Sequence, residues 1–491
     1  MSTSVIVLLV IAAYLVIVLA TGIRAGIGQE NDIKEYVAAS GSLGLVIMYF
    51  LMGGAIYSAF AFLGGPGWAY SKGAASFYIM AYCGLGLVPW LIWGPRTYRL
   101  GRKYGYVTQA ELVSDRFQSK ALSAIMAIVS ILAFIQYIAL QLKGMAYVIN
   151  VTTGGMIPFW LGALMAYGVV LIYVLTSGVR GVGWTNVLQA SMMIIMGWVL
   201  GIWLTFKFHG GPTAMFQQIA ETSPTHLLVG GSQMSWPAFS SALLVSILGF
   251  TMWPHLFMKA YTSNSEKTIK RTILFYPTFA IFMVPVLFIG FSGIGVVASE
   301  SLEAADQILP TMLMQLDLPA WGLGLVAAGT LAAAMSSSDT ITHGAASVYT
   351  MDFHRKVINS DLDDRKSVIV TRIAVVIFTS VAYYIAVFGA KSLVAILLGA
   401  YGSIVQFFPL VAATFFWPRA TKQGAIAGLL TGVVVNTYIS LVGPVPLEIN
   451  PGIWGLLANI VVFIFVSLLT KPNDMEHIKK FTEEATVPVD K

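Results

Sequence analysis

From residue 331 to 347 the chain reads LAAAMSSSDTITHGAAS, inside an apolar run from about 319 to 349. At helical spacing Ala333, Ser336, Ser337 and Thr340 fall at i, i+3, i+4 and i+7, so they share one face, with Asp339 on the neighbouring strip. Hydroxyl and carbonyl oxygens are what a hard cation needs once it sheds water. Helix carbonyls become available for that role beside small residues or a break. The competing use of such a stripe is helix packing, because Ser and Thr sit well at membrane helix contacts and bond back to their own carbonyls. Asp339 sharpens the choice: a carboxylate inside a membrane is costly wherever it stays charged and dry. Either it serves a cation or a proton, or it lies in the water layer at a helix end.

The elements that must position this face follow from composition. Of 491 residues 57% are hydrophobic and 10% charged, and mean hydropathy is +0.80. These values belong to an all-α polytopic membrane protein. A bilayer core of about 30 Å takes roughly 20 helical residues. Apolar segments read against their breakers predict thirteen spans, at about 4–24, 42–70, 75–95, 121–150, 157–177, 184–207, 237–261, 273–298, 319–349, 370–389, 392–416, 424–443 and 452–470. The first run has no basic stretch before it and no small-residue cleavage site after it, so it reads as a retained helix.

An odd number of spans puts the termini on opposite sides, and charge alternation tests that. Arg96, Arg99, Arg102, Lys103, Arg116 and Lys120 follow helix three, Lys267, Lys270 and Arg271 follow helix seven, and Arg355, Lys356, Arg365, Lys366 and Arg372 follow helix nine. The loops at 209–237 and 299–318 contain no Lys or Arg. The positive-inside rule therefore predicts a plasma-membrane protein with its N-terminus outside and its C-terminus in the cytoplasm. The charged tail 471–491 reads as a short disordered end.

Interrupted helices at matching positions of two halves mark an inverted-repeat transporter. Helix two contains GGAIYSAFAFLGGPG and helix seven SILGFTMWPH, with five helices from one start to the next. An odd offset inverts the second set.

Three stretches, in order, resemble the sodium:solute symporter family. AAAMSSSDT resembles its AA-x-x-S-[ST] motif, GVRGVGWTNVLQASMM its GG-x-x-A-V-x-W-T-D-x-x-Q signature, and WPRATKQGAIAGLLTG its W-x-R-x-T-x-x-G-A-x-x-G. The resemblance runs over nearly the whole chain and implies the leucine-transporter architecture in one integral domain. The first repeat then covers 42–207 and the second 237–416, with extra helices at 4–24 and 424–470. It also implies a sodium site formed by the backbone carbonyls of Gly54, Tyr57 and Ala333 with the hydroxyls of Ser336 and Ser337. Where the signature has the aspartate of W-T-D, this chain has Asn186. The missing charge is expected to have moved to Asp339, so that Asn186, Asp339 and Thr340 form a second cation or proton site.

Substrate contacts are expected near the midplane of helices two, four, seven and eleven. They are Phe60 and Phe62, then Gln136, Tyr137 and Gln141, then Ser246, Phe250, Trp253 and His255 around a break at Gly249, and finally Tyr401 and Gln406. Lys143 and Lys259 are expected to snorkel to the surfaces. The run SAFAFLGGPGWAYSKGAASFYIMAY at 58–82 is most similar to the monocarboxylate permease branch of the family, which implies a short-chain acid as substrate.

The expected activity is sodium-driven symport of a small organic solute. Proton coupling, or sodium-coupled proline, amino acid or pantothenate transport, stays open, and a passive channel would need a continuous polar file. An enzyme would need a nucleophile beside a base, a metal set or paired carboxylates. The sequence offers none, and no cofactor is expected beyond the transported ion. Cys83, the one cysteine, excludes an internal disulfide. Partners are then the solute, sodium or a proton, and the lipid bilayer. Nucleic acid is excluded, because Lys and Arg in such a chain serve topology, and a monomer suffices as the functional unit.

Overall fold

The computed structural model describes residues 2–27, 32–231, 233–389 and 393–488. Among them nine helices are long and apolar enough to cross a membrane, or eleven if each of two bent pairs is one span. Two further features bring the arrangement to the expected thirteen. The first is Phe159–His209, 51 residues of helix and so about 76 Å long if straight, over twice a bilayer core. It is not straight: Gly178 has φ +52° and ψ −152°. A methyl group on Gly22 would lie 2.7 Å from Tyr173 Cβ and 3.2 Å from Thr185 Cγ2, side chains twelve residues apart. The chain therefore reverses at Gly178, a conformation that glycine adopts at no steric cost, into α5 and α6. The second is Tyr78–Leu85, the far end of the first bent pair, which runs on after a turn into Trp90–Tyr104 and with it makes a segment of its own.

Numbered by span, α1 is Thr3–Ala25, α2 joins Leu45–Ile56 to Gly65–Lys72, α3 is the Tyr78–Tyr104 segment, and α4 is Lys120–Thr152. Beyond the α5/α6 hairpin, α7 joins Trp236–Phe250 to Pro254–Phe257, α8 covers Glu266–Gly293, and α9 is Ala320–Val348. The remaining spans are α10 Asp364–Phe388, α11 Leu393–Ile404 with Phe408–Phe416, α12 Lys422–Val442 and α13 Pro451–Leu469. Small residues let α9 sit at the centre: from Ala327 to Val348 every residue is buried, packed by α1, α4, α5 and α6.

Two spans are bent by more than 40°, α2 and α7. In α2 the helix stops at Tyr57, whose φ/ψ of −85°/84° cannot continue it. In membrane the freed backbone groups must find partners. Gln141 Oε1 accepts from Ala59 N at 3.0 Å, and Ser58 Oγ from Phe60 N at 3.1 Å. In α7 the break falls at 251–253, just past the expected Gly249. Pro254 disfavours a helical residue before it, and Trp253 is extended at ψ 121°.

Two expectations fail here. The tail folds: α14, Met475–Thr482, buries Ile478 and Phe481, and its Lys480 pairs with Asp115. Hydrophobic residues on one face of a short amphipathic helix outweigh its charge. Lys143 and Lys259 do not snorkel, being 8% and 4% exposed. Lys143 Nζ instead donates to the carbonyl of Gly389 at 3.1 Å.

Candidate functional site

The serine face of α9 meets the end of the first half of α2. Ser336 Oγ lies 3.1 Å from the Gly54 carbonyl oxygen and 3.0 Å from that of Ala333, while Ser337 Oγ is 2.7 Å from Gly54 O. All four residues are buried. Glycine is required at position 54, where a Cβ would stand 2.1 Å from Asn186 Oδ1 and 3.4 Å from Ser336 Cβ. Tyr57, the last member of the expected ligand set, is where the helix ends three residues on. The oxygens are neutral, pre-placed and dry. Rotating two hydroxyl hydrogens away would turn their lone pairs toward a dehydrated monovalent cation, a donor set that fits sodium.

Asp339 lies beside this cluster, fully buried rather than in a water layer. Its Oδ2 accepts from Tyr173 OH at 2.9 Å, Thr185 Oγ1 at 3.1 Å and Asn186 Nδ2 at 3.1 Å. Its Oδ1 accepts from Asn186 Nδ2 and Thr340 Oγ1, both at 3.1 Å. The expected trio of Asn186, Asp339 and Thr340 is thus one cluster. Asn186 Oδ1 is buried without a hydrogen-bond partner and points toward Gly54, so the amide spans both oxygen clusters. Tyr173 and Thr185 were missed in the sequence reading. Thr185 adjoins Asn186 in the signature and could have been found, whereas Tyr173 has no local signal because it arrives by the reversal at Gly178.

Between the two breaks lies an aromatic box. Tyr137 packs 5.1 Å from Trp253, Trp253 5.5 Å from Tyr401, Tyr401 6.0 Å from Tyr82, and Tyr82 6.4 Å from Phe60 and 6.2 Å from Phe250 (ring centroids). Phe250 lies 6.1 Å from Tyr276, which stacks at 6.2 Å on Tyr57. Tyr82 and Tyr276, on α3 and α8, were not anticipated, since neither helix is among the four expected to supply contacts. On these helices Gln141 Nε2, Trp253 Nε1 and Ser246 Oγ are buried and unbonded among the described residues, and the Tyr57 and Tyr276 hydroxyls lie close to each other. His255 packs against Phe134 and Trp253 at 5.4 and 5.6 Å. Phe62 is buried, and Gln136, expected to face inward, is exposed.

Gln406 is a correction. Its Nε2 donates to the carbonyls of Gly402 and Gly452 at 3.0 and 3.1 Å, and its Oε1 accepts from Asn459 at 3.3 Å. That side chain fastens α13 to α11, and both of its amide hydrogens are spent there. The sequence placed it on the right helix but could not say which face α13 covers.

Comparison with known proteins agrees with this architecture. A family model described as "Sodium:solute symporter family" matches residues 36–432. The uncharacterized symporter YhjB of Bacillus subtilis (strain 168) is 31% identical, covering 94% of this chain and 97% of its own. A monocarboxylate transport permease protein of Rhizobium johnstonii is 26% identical, covering 89% and 90%. A solved structure of a Na+-coupled sialic acid symporter superposes with a TM-score of 0.80 at 18% identity, covering 96% of this chain and 99% of that one. With its leucine-transporter-like fold of broken helices α2 and α7, the chain is a multi-pass membrane transporter and belongs to the sodium:solute symporter family.

Proposed function

We propose that this symporter couples sodium entry to uptake of a short-chain monocarboxylate. The observation that carries the substrate class is the set of unpartnered donors at the two helix breaks. Gln141 Nε2 and Trp253 Nε1 can only donate, and both are buried without an acceptor. Leaving such a group unsatisfied costs about 1–3 kcal/mol, so a ligand rich in acceptors is favoured, and a carboxylate offers about four lone-pair sites. The apolar rings of Phe60 and Phe250 suit a short carbon chain. An amino acid fits less well, because its ammonium would want a carboxylate. The buried carboxylates among the described residues are Asp306, Asp339 and Asp352, none of them among the rings of the box. The Rhizobium relative with a monocarboxylate name supports the same reading.

In this reading Gly54, Tyr57, Ala333, Ser336 and Ser337 hold the sodium ion at the α2/α9 junction. Filling that junction fixes the break whose Ala59 N holds Gln141 toward the solute, so ion and solute favour the same conformation and each raises the other's affinity. The basic end faces the cytoplasm. A second reading, in which Asp339 exchanges a proton, is favoured by its complete burial beside neutral donors. Uptake into proteoliposomes of labelled short monocarboxylates, amino acids and pantothenate, with sodium and pH gradients imposed separately and a passive-flux control, tests both. Accumulation of a monocarboxylate driven by sodium alone is expected. Accumulation of pantothenate or proline with no competition from short acids would reject the substrate class.

A further inference from the structure

Beyond its break, α7 runs on as Pro254–Thr262 and meets the segment that leads into α2. Leu43 N donates to the carbonyl of Thr262 and Asn264 N to that of Leu43, both at 3.0 Å. Arg102, near the end of α3, fastens this joint: its Nη2 donates to the carbonyl of Ser263 at 3.2 Å and to that of Gly41. Against the joint lies a cavity of about 190 Å³, lined among others by Asp32, Lys34, Ser40, Arg102 and Tyr261. Two glycines of α3 shape its wall. A Cβ on Gly101 would stand 2.3 Å from the Tyr261 ring, and one on Gly105 3.3 Å from Lys34 Nζ. Positions four apart lie one helical turn from each other, so ring and ammonium share one face of α3. Tyr261 OH is buried without a partner among the described residues, an exception in a folded chain that calls for a ligand. Neither Lys34 nor Arg102 pairs with a carboxylate among the described residues, and Asp32 accepts from Lys34 N at 2.8 Å. Two cations against one carboxylate leave the cavity with one net positive charge. The loop beside it is strained: Ala39 and Ser40 have φ of 46° and 48°, left-handed values that cost about 1–3 kcal/mol each outside glycine and gather at ligand clamps.

We propose that this cavity is a second, regulatory binding site for a short monocarboxylate, held by Lys34, Arg102 and Tyr261, and that filling it keeps the joint between α2 and α7 closed. Tyr261 comes eight residues after Trp253, about 12 Å further along a helix, so the site stands apart from the aromatic box. A carboxylate has two oxygens and about four lone-pair sites, enough for an ammonium, a guanidinium and a phenol at once. One net positive charge suits a monoanion better than a phosphate dianion. At roughly 30 Å³ for each water of the liquid, the volume takes an acid of two to four carbons and little more. The cavity exists with the joint made, so a ligand that fits it favours that arrangement. With the basic end facing the cytoplasm, acid accumulated inside slows its own further entry.

The test is equilibrium binding of labelled propionate to the full chain in detergent, with sodium and without it, followed by hydrogen exchange of residues 38–43 and 261–264. A component that needs no sodium is expected, and propionate should slow exchange in both segments. Lys34→Gln should weaken that component about tenfold or more, the scale of a hydrogen bond to a charged group, and Tyr261→Phe should weaken it too. In proteoliposomes preloaded with unlabelled propionate, initial sodium-driven uptake should be slowed in the unaltered protein and less so in Lys34→Gln. Absence of sodium-independent binding, or binding unchanged in both variants, overturns the site. Inorganic phosphate displacing propionate at lower concentration than acetate does overturns the ligand class. Preloading that leaves uptake unchanged or speeds it overturns the regulatory role. Loss of the sodium-dependent component alone would count against the proposed function and leave this site standing.

Discussion

Asn186 Nδ2 lies 3.1 Å from each carboxylate oxygen of Asp339. Its own Oδ1 faces the position where a side chain on Gly54 would stand. One amide thereby lies between the carboxylate of α9 and the backbone at Gly54 near the α2 break. A charge change at either residue should be felt by the other, because both are buried and little water screens them.

That relationship predicts a coupled pair. Asp339→Asn should impair cation-driven uptake at every substrate concentration, and adding Asn186→Asp should restore part of it by returning the charge to the same cluster. A double-mutant cycle on sodium- and pH-driven uptake measures the coupling. Simple additive loss would show that the two residues do not share a site.

The serine face predicts a change in ion affinity without a change in fold. Removing one oxygen from about five, in Ser336→Ala or Ser337→Ala, should raise the sodium needed for half-maximal uptake by about tenfold, the scale of a hydrogen bond to a charged group. Thermal stability in detergent should move little. Sodium activation that stays unchanged in the double mutant would remove the ion from this junction.

Gln406 predicts the opposite signature. Gln406→Leu breaks buried bonds to Gly402, Gly452 and Asn459, at about 1–3 kcal/mol for each polar group left unpaired. The melting temperature should fall while the KM for solute stays near that of the unaltered protein. A raised KM with unchanged melting would return Gln406 to the substrate site.

The folded tail predicts a dependence on acid. Partial burial pushes the Asp115 carboxyl up, but bonds from Lys480 and Tyr106 and the nearby charges outweigh it and hold the group below the usual carboxylate range. A depressed folded value contributes docking stability that is present above the ordinary carboxylate range and is lost as pH falls through the folded value. Hydrogen exchange of residues 475–482 should therefore stay slow near neutrality and accelerate only below about pH 4, the ordinary carboxylate value. Lys480→Glu should give fast exchange at neutral pH, and slow exchange there would mean that Ile478 and Phe481 suffice to hold the helix.

Much of this architecture is legible in the sequence because the bilayer acts on local composition. Runs of about twenty apolar residues, the glycines and proline of GGAIYSAFAFLGGPG, and the face of Ser336 and Ser337 each express a constraint that needs no partner to be read. Asn186 in place of the signature aspartate, and Asp339 on the serine helix, were also visible, because a carboxylate inside a membrane is too costly to be incidental. Which surfaces meet was decided only in three dimensions. Tyr173 reaches Asp339 through a chain reversal at one glycine, Tyr82 and Tyr276 enter the box from α3 and α8, outside the expected set, and Gln406 is taken by α13. Periodicity places a side chain on a face of its own helix, but the neighbour covering that face is chosen by packing among distant segments.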